Sequence, residues 1–243
     1  MAGLFSRLFG KKKERGPSCA AVVAAAGSST RMGGQDKLML PLGEEPVLAH
    51  TLRALELCPY ITEIVVVTRR DLILPIGQMC QDRRLEKVSR VIPGGSTRTQ
   101  SVLNGVLELG QRAELVAIHD GARPLVSQAL LEAVITRAAQ CGAAAPAVPV
   151  KDTVKRAKNA VVTETLDRAE LFAVQTPQVF QTDLIRGALE RALEEGAVLT
   201  DDCSAVERLG IGVALTQGDY RNLKITTPED LAAAGAFLEQ EEV

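Results

Sequence analysis

Apolar and polar positions along the chain follow two alternating periods. Residues 20–26, 61–68, 88–92 and 115–118 are runs of small or β-branched side chains with the length of buried strands. Between them the apolar residues recur at helical spacing. Val47, Leu48, Leu52 and Leu55 mark a helix over 46–57, and Val102, Leu103, Val106 and Leu107 mark one over 98–109. A weaker helical pattern over 72–84 is interrupted by Pro75 and Gly77, and Ser127 supplies an N-cap for a helix ending at Gln140. Further along, 182–195 predicts a helix stopped by Gly196, and Thr200-Asp201-Asp202 caps a helix over 203–209. Residues 211–216 and 222–226 predict strands, and Thr227-Pro228-Glu229-Asp230 opens a last helix with a cap and an early proline. There are no internal repeats. The rhythm predicts an α/β fold, a mostly parallel sheet with helices on both faces, whose ligands bind beyond the carboxyl ends of the strands.

Two stretches break that rhythm. From Val148 and Val150 the pattern alternates into Lys151-Asp152-Thr153-Val154-Lys155-Arg156, turns over 157–160 and returns through 161–166. This is a β-hairpin too charged for the interior of a sheet, an arm over about 148–172. An isolated hairpin is marginal in water, so the arm packs on something: a partner subunit is the economical choice, its own domain the alternative. At the other end, Leu4, Phe5, Leu8 and Phe9 at helical spacing precede Lys11-Lys12-Lys13. One short basic cluster binds membranes only marginally, so residues 1–17 read as a flexible amphipathic tail rather than an anchor, and 18–243 as a single domain.

Composition narrows the function classes. Lys and Arg number 28 against 30 Asp and Glu in 243 residues, a formal net charge of -2, so no global basic field recruits nucleic acid. Aromatics at 3% with no tryptophan supply no stacking platform for single strands. Phosphate binding here has to be local. Cys19, Cys58, Cys80, Cys141 and Cys203 are scattered without a C-x-x-C pair, which argues against a disulfide framework or zinc knuckle and fits a reducing cytoplasm. His50 and His119 are too few for a multi-histidine metal site, and no apolar run reaches the roughly 18 to 20 residues of a membrane span.

The candidate chemistry lies in three loops at strand ends: 27–37, 93–98 and 119–124. Gly27-Ser28-Ser29-Thr30 offers a row of backbone N–H groups for an anion, and Arg31 and Lys37 flank Gly33-Gly34. Donors and positive charge together suit a polyphosphate. The Walker pattern fails at its lysine, and the dinucleotide fingerprint lacks its second glycine. Taken alone, the first loop reads as an ordinary solvated turn; the convergence of three such loops on one sheet edge favours a site.

The residues then fall into a known order. Ala25-Ala26-Gly27-x-x-x-Arg31-Met32 with Lys37, Gly94-Gly95-x-x-Arg98-x-x-Ser101-Val102, and His119-Asp120-x-Ala122-Arg123-Pro124 come first. Asp152-Thr153-x-Lys155, Asp167-Arg168, Gln175-Thr176-Pro177-Gln178, Thr200-Asp201 and Asn222-x-Lys224-x-Thr226-x-Pro228-Glu229-Asp230 follow. From about Ala20 to the last helix the chain resembles the 2-C-methyl-D-erythritol 4-phosphate cytidylyltransferase family of the non-mevalonate isoprenoid pathway. The resemblance implies a Rossmann-like nucleotidyltransferase fold and a reaction in which a substrate phosphate attacks the α-phosphorus of CTP and pyrophosphate leaves. Positioning and positive charge do nearly all of that work, and Mg²⁺ held mainly by the CTP phosphates offsets repulsion between the anions.

By the same resemblance, the loop at Ala25, Ala26 and Gly27 wraps the triphosphate, and Arg31 and Lys37 stabilise charge at the α-phosphate. Gly94, Gly95, Ser96 and Ser101 correspond to the cytosine pocket, although two adjacent glycines also make an ordinary tight turn. Asp120, Ala122 and Arg123 match the loop between the ribose and the second substrate; Asp120 has capping or metal binding as alternatives. Thr153, Arg168, Thr176 and Thr200 match the polyol phosphate side, and Arg168 and Lys224 the cations that orient the attacking phosphate. The arm is implied to reach across a homodimer and complete the partner's site. Ser29 and Leu38 depart from the family, where a second glycine and a glutamine are common. Two rival readings remain: a cytidylyltransferase for another polyol phosphate such as ribitol 5-phosphate, and a catalytically silent nucleotide-binding module.

Overall fold

The apolar run after Ser18 forms β1 (Cys19–Ala25), and its side chains divide by parity. Cys19, Ala21, Val23 and Ala25 enter one buried cluster and Val22 enters another. A strand covered on both faces behaves this way. The computed structural model describes residues 16–27, 36–110 and 113–240. After β1 come the short pair β2 (Pro41–Leu42) and β3 (Glu45–Pro46), then α1 (Val47–Leu57), β4 (Ile61–Thr68), α2 (Ile73–Asp82), β5 (Val88–Pro93), α3 (Arg98–Leu107) and β6 (Leu115–Asp120). The second half comprises α4 (Gln128–Cys141), β7 (Ala143–Pro149), β8 (Lys155–Lys158), β9 (Val161–Thr165), β10 (Phe172–Val174), β11 (Gln178–Gln181), α5 (Thr182–Glu194), α6 (Cys203–Glu207), β12 (Ala214–Gln217) and α7 (Pro228–Glu239).

Seven strands of the main sheet lie in the order β10-β7-β11-β6-β1-β4-β5, with β12 pairing β7 in addition. β1 runs parallel to both β4 and β6, and β4 parallel to β5; β10 and β11 are antiparallel to their neighbours. The chain steps outward from β1 through β4 to β5, then returns to β1's other side as β6. That reversal opens a crevice beyond the carboxyl ends of β1 and β6. Buried residues of α1, α2 and α4 cover one face of the sheet, and those of α3, α5 and α6 the other. On the second face α3 sits very close: a Cβ on Gly105 would lie 2.5 Å from Val22 Cγ1. Only glycine lets the helix approach so near, and the approach carries the start of α3 to the crevice.

Most elements appear where the pattern predicts them, with instructive exceptions. Pro75 is tolerated as the third residue of α2, where its missing N–H has no intrahelical partner to lose. His119 and Asp120 continue β6 instead of closing it, paired in register with Val23 and Ala24. Residues 222–226 form no strand: the Ile225 N–H bonds the Ala122 carbonyl, and Asn222 is tied down by its side chain. The segment crosses the end of the sheet rather than joining its ladder. Thr227 does cap α7, in a reciprocal capping box with Asp230 and with Pro228 at the first position.

The arm is also shorter at its base than 148–172. Val148 and Pro149 stay in the sheet, paired with Ala173 and Phe172, and the Val150 N–H to Leu171 carbonyl bond of 3.0 Å closes the base. The hairpin turns in two residues, Asn159 (φ 50°) and Ala160 (φ 61°), rather than over 157–160. Both lie in the left-handed region that suits the twist of a hairpin. Every residue of β8 and β9 is exposed, so the arm does not fold back on its own domain. Among the described residues no helix is long and apolar enough to cross a membrane. The tail, Ser28, Ser29, Thr30 and Arg31 lie outside the described residues, save the last two tail positions, 16 and 17.

Candidate active site

Beyond the ends of β1 and β6 lies a cavity of about 380 Å³. Its floor is the chain leaving β1, Ala25, Ala26 and Gly27, and small side chains there leave room for a ligand. One wall is the turn between β5 and α3. A Cβ on Gly94 would come within 2.7 Å of Ala26 Cβ and 2.8 Å of Ser101 Oγ, so this glycine is required by close packing and not only by the turn. The Gly95 N–H donates to Ser101 Oγ at 3.0 Å, and that hydroxyl donates to the Thr97 carbonyl at 2.8 Å. Thr97 in turn caps α3 by accepting from the Gln100 N–H at 3.1 Å. Gly95 and Ser101 are thereby fixed before any ligand arrives.

Lys37, Arg98 and Lys224 line the cavity as cations, and Asp120 is the one carboxylate among the described lining residues. Such a balance suits an anionic ligand. Lys37 Nζ donates to the Ile225 carbonyl at 2.8 Å, which joins the chain after β1 to the segment that carries Lys224. Lys224 Nζ lies 3.0 Å from Asp120 Oδ2. Arg98 makes a two-pronged pair with Asp202, at 2.8 and 2.6 Å, and reaches within 3.9 Å of Asp120. Burial would raise the Asp120 carboxyl, but Lys224, Arg98 and Arg123 together outweigh it and hold the group down at about 2. Asp120 is therefore charged at physiological pH. Burial pushes Asp202 up from its ordinary value despite its partner Arg98.

Behind the cavity a chain of hydrogen bonds sets the Asp120 backbone. The Asp120 N–H donates to Thr176 Oγ1 at 3.1 Å; Thr176 Oγ1 lies 3.0 Å from His119 Nδ1, and His119 Nε2 lies 3.3 Å from the Arg123 carbonyl. Burial lowers His119 to about 4, so the ring is neutral. The network then assigns one tautomer: Thr176 donates to Nδ1, and Nε2–H donates to the carbonyl. Arg123 turns inward, with Nε 3.5 Å from Asp120 Oδ2 and Nη1 donating to the Asn222 carbonyl at 2.5 Å.

Of the residues expected at the site, Ala25, Ala26, Gly27, Lys37, Gly95, Ser96, Ser101, Asp120, Ala122 and Lys224 line one cavity. Arg123 and Thr176 are buried and support it from behind. Thr153, Arg168 and Thr200 do not line it: Arg168 donates to the Lys151 carbonyl at the arm base, and Thr200 Oγ1 pairs with Ser204 Oγ. Leu38 is 3% exposed and packs into the core, which accounts for an aliphatic residue beside Lys37. Sequence reasoning named Asp202 only as part of a cap and Gln178 and Asn222 only within the family pattern, and gave none of them the supporting role that the structure shows. Gln178 Oε1 accepts from the Asp202 and Cys203 N–H groups at 3.0 Å each, and Asn222 Nδ2 donates to the Thr176 carbonyl at 2.9 Å. A signal existed: polar residues directly before the apolar Val179-Phe180 have to be satisfied when buried.

Comparison with known proteins agrees in family and fold. The sequence profile of the family described as 2-C-methyl-D-erythritol 4-phosphate cytidylyltransferase matches residues 19–240. A protein of that name from Desulforamulus reducens is 48% identical over 228 residues, covering 90% of this chain and 95% of the relative. One from Halalkalibacterium halodurans is 43% identical over 222 residues, covering 91% and 97%. Among solved structures, the 4-diphosphocytidyl-2C-methyl-D-erythritol synthase of Anaerococcus prevotii is similar with a TM-score of 0.82 at 32% identity, over 92% of this chain and 99% of that one. The 2-C-methyl-D-erythritol 4-phosphate cytidylyltransferase of Thermus thermophilus gives 0.76 at 33% identity, over 90% and 98%.

Proposed function

The chain belongs to the 2-C-methyl-D-erythritol 4-phosphate cytidylyltransferase family, and we infer that it condenses CTP with 2-C-methyl-D-erythritol 4-phosphate to 4-diphosphocytidyl-2-C-methyl-D-erythritol and pyrophosphate in isoprenoid biosynthesis. It is a nucleotidyltransferase. A phosphate oxygen of the polyol attacks the α-phosphorus of CTP, a P–O bond forms there, and the bond to the departing pyrophosphate breaks. Both partners are anionic, so the protein's task is to bring them together and absorb charge. The observation that carries this reading is the convergence of Lys37 and Lys224 on one cavity at the β1/β6 crevice.

Lys37, with Arg31, stabilises the α-phosphate, and Ala25, Ala26 and Gly27 border the triphosphate. Gly95, Ser96 and Ser101 take the cytosine; the fixed Gly95–Ser101 bond and the tight Gly94 contact support a wall with room for a pyrimidine and not a purine. Lys224 orients the attacking phosphate, steadied by Asp120. Ala122 lies on the same rim, while Arg123 and Thr176 act through Asp120 rather than by touching substrate. Among the described residues no group of three His, Cys, Asp or Glu side chains is placed to hold a metal ion. Asp120, already engaged by Lys224, suits an ion held mainly by the nucleotide's phosphates. When bound, Mg²⁺ supplies charge neutralisation between the two anions.

Thr153, Arg168 and Thr200 complete the polyol phosphate side, the first two from the arm of a partner subunit. Support for a homodimer comes from the arm's full exposure and from apolar residues on and beside it: Val161 and Val162 are 66% and 56% exposed, Phe172 and Val174 46% and 40%. Such a patch beside a projecting hairpin suits a second copy. The free cysteines accord with a cytoplasmic enzyme. The test is pyrophosphate release with CTP and Mg²⁺, comparing methylerythritol 4-phosphate with ribitol 5-phosphate. Release with the first alone supports the reading. Release only with the second moves the substrate, and silence with both makes a nucleotide-binding module of it.

A further inference from the structure

Arg69 directly follows Thr68, the last residue of β4, which pairs in register with Ala25 at the end of β1. It lines no part of the cavity, yet it touches both sides of the chain that does. Asp71 accepts from Nε at 3.2 Å and from Nη2 at 3.0 Å, fixing the plane of the guanidinium. That leaves Nη1 directed elsewhere. Nη1 lies 2.6 Å from Asp36 Oδ2 and donates to the Gly27 carbonyl at 3.5 Å. Gly27 and Asp36 bracket residues 28–35, which include Arg31.

Asp36 passes this anchorage on to Lys37. Its Oδ1 accepts from the Leu38 N–H at 2.9 Å and its carbonyl accepts from the Met39 N–H at 3.0 Å, so a turn closes around Lys37. The Asp36 carboxylate is only 11% exposed. An exposed ion pair is worth little, but here the carboxylate is nearly buried and the guanidinium beside it is already oriented by Asp71, so the ion pair joins two placed groups. We propose that Arg69 is a positioning residue: through Asp36 and Gly27 it sets the two chain ends that border the triphosphate and so aims Lys37. It also cancels a carboxylate that would otherwise repel the nucleotide. The proposal rests on the reading of this cavity as the CTP site.

The test combines equilibrium binding of CTP with Mg²⁺, steady-state pyrophosphate release, and thermal melts for Arg69→Met, Asp36→Asn, the double variant and Arg69→Lys. Arg69→Met is expected to raise the CTP dissociation constant and KM about tenfold and to lower kcat, with the KM for methylerythritol phosphate unchanged. Because the two residues act as a unit, the double variant should bind CTP no worse than Arg69→Met, and better if the unpaired Asp36 charge is what repels. Arg69→Lys, with a single ammonium for two partners, should fall between wild type and Arg69→Met. Should Arg69→Met not fold, Arg69→Lys and Asp36→Asn must still raise the KM for CTP alone. The proposal is overturned if the variants melt lower but keep wild-type KM for CTP, or if the two single effects multiply in the double variant. A wild-type protein that neither binds CTP nor releases pyrophosphate defeats the functional reading instead.

Discussion

Lys224 Nζ and Asp120 Oδ2 stand 3.0 Å apart at the mouth of the cavity, and neither is placed by its own element alone. Asp120 ends β6, whereas Lys224 sits on the segment that crosses the sheet's end, held by the Ile225 N–H bond to the Ala122 carbonyl. The pair joins the end of β6 to that crossing segment. Its chemistry has a consequence in pH. The folded Asp120 titrates at about 2, below the unfolded value of ~3.9. A depressed carboxyl contributes stability above its unfolded value and loses that contribution as pH falls through the folded value. Equilibrium unfolding should therefore find wild type ahead of Asp120→Asn by ~2 kcal/mol above pH ~4, with the gap shrinking toward pH ~2. A gap independent of pH would contradict the ion-pair account.

Thr176 should prove a support and not a substrate contact. Replacing it with valine leaves the buried Asp120 N–H without an acceptor, which costs ~1–3 kcal/mol. Chemical denaturation should show that loss for Thr176→Val and near wild-type stability for Thr176→Ser. The neighbouring His119 adds a second pH window. Folded at about 4 and unfolded at ~6.5, it resists a proton that the unfolded chain accepts, so stability should decline as pH falls between those values.

Arg98 and Asp202 form a pair in which Asp202 is 1% exposed. Removing one partner strands the other. Asp202→Ala should cost ~3–5 kcal/mol in equilibrium unfolding and also weaken CTP binding, because Arg98 lines the cavity. A loss under ~1 kcal/mol would mean that the pair is solvated in solution.

If the arm completes the partner's site, Lys37→Ala and Arg168→Ala should complement. Each homodimer is damaged, yet a mixed dimer carries both changes in one site and none in the other. Mixing and re-equilibrating equal amounts should restore about a quarter of wild-type pyrophosphate release. No gain on mixing, or a fully active monomer by light scattering, would separate the arm from the site.

Much of this architecture was legible because it is written locally. Ser127 accepts from the Leu130 N–H as a cap should, Thr227 and Asp230 close their box, and the run from Ile61 to Thr68 is a strand from end to end. The cavity was legible too, because parallel strands bring their following loops to one edge. What escaped is held by partners far apart in sequence. Residues 222–226 look like a strand, but Asn222 is tied to Thr176, 46 residues away, and the segment has no ladder to join. Arg98 finds Asp202 across 104 residues, and Arg69 finds Gly27 across 42. Local periodicity carries no information about such pairings. The alternation at Val148 and Pro149 continues into the arm, whereas the pairing partners that keep them in the sheet lie beyond the hairpin.

The most direct measurement is pyrophosphate release with CTP, Mg²⁺ and methylerythritol 4-phosphate by Lys37→Ala beside wild type, with thermal melts of both. Lys37 Nζ donates to the Ile225 carbonyl at the cavity edge; turnover should fall ~100-fold to 1000-fold on its loss, while the melts show the variant still folded. A Lys37→Ala protein that turns over at the wild-type rate would contradict the assignment of the chemistry to this cavity.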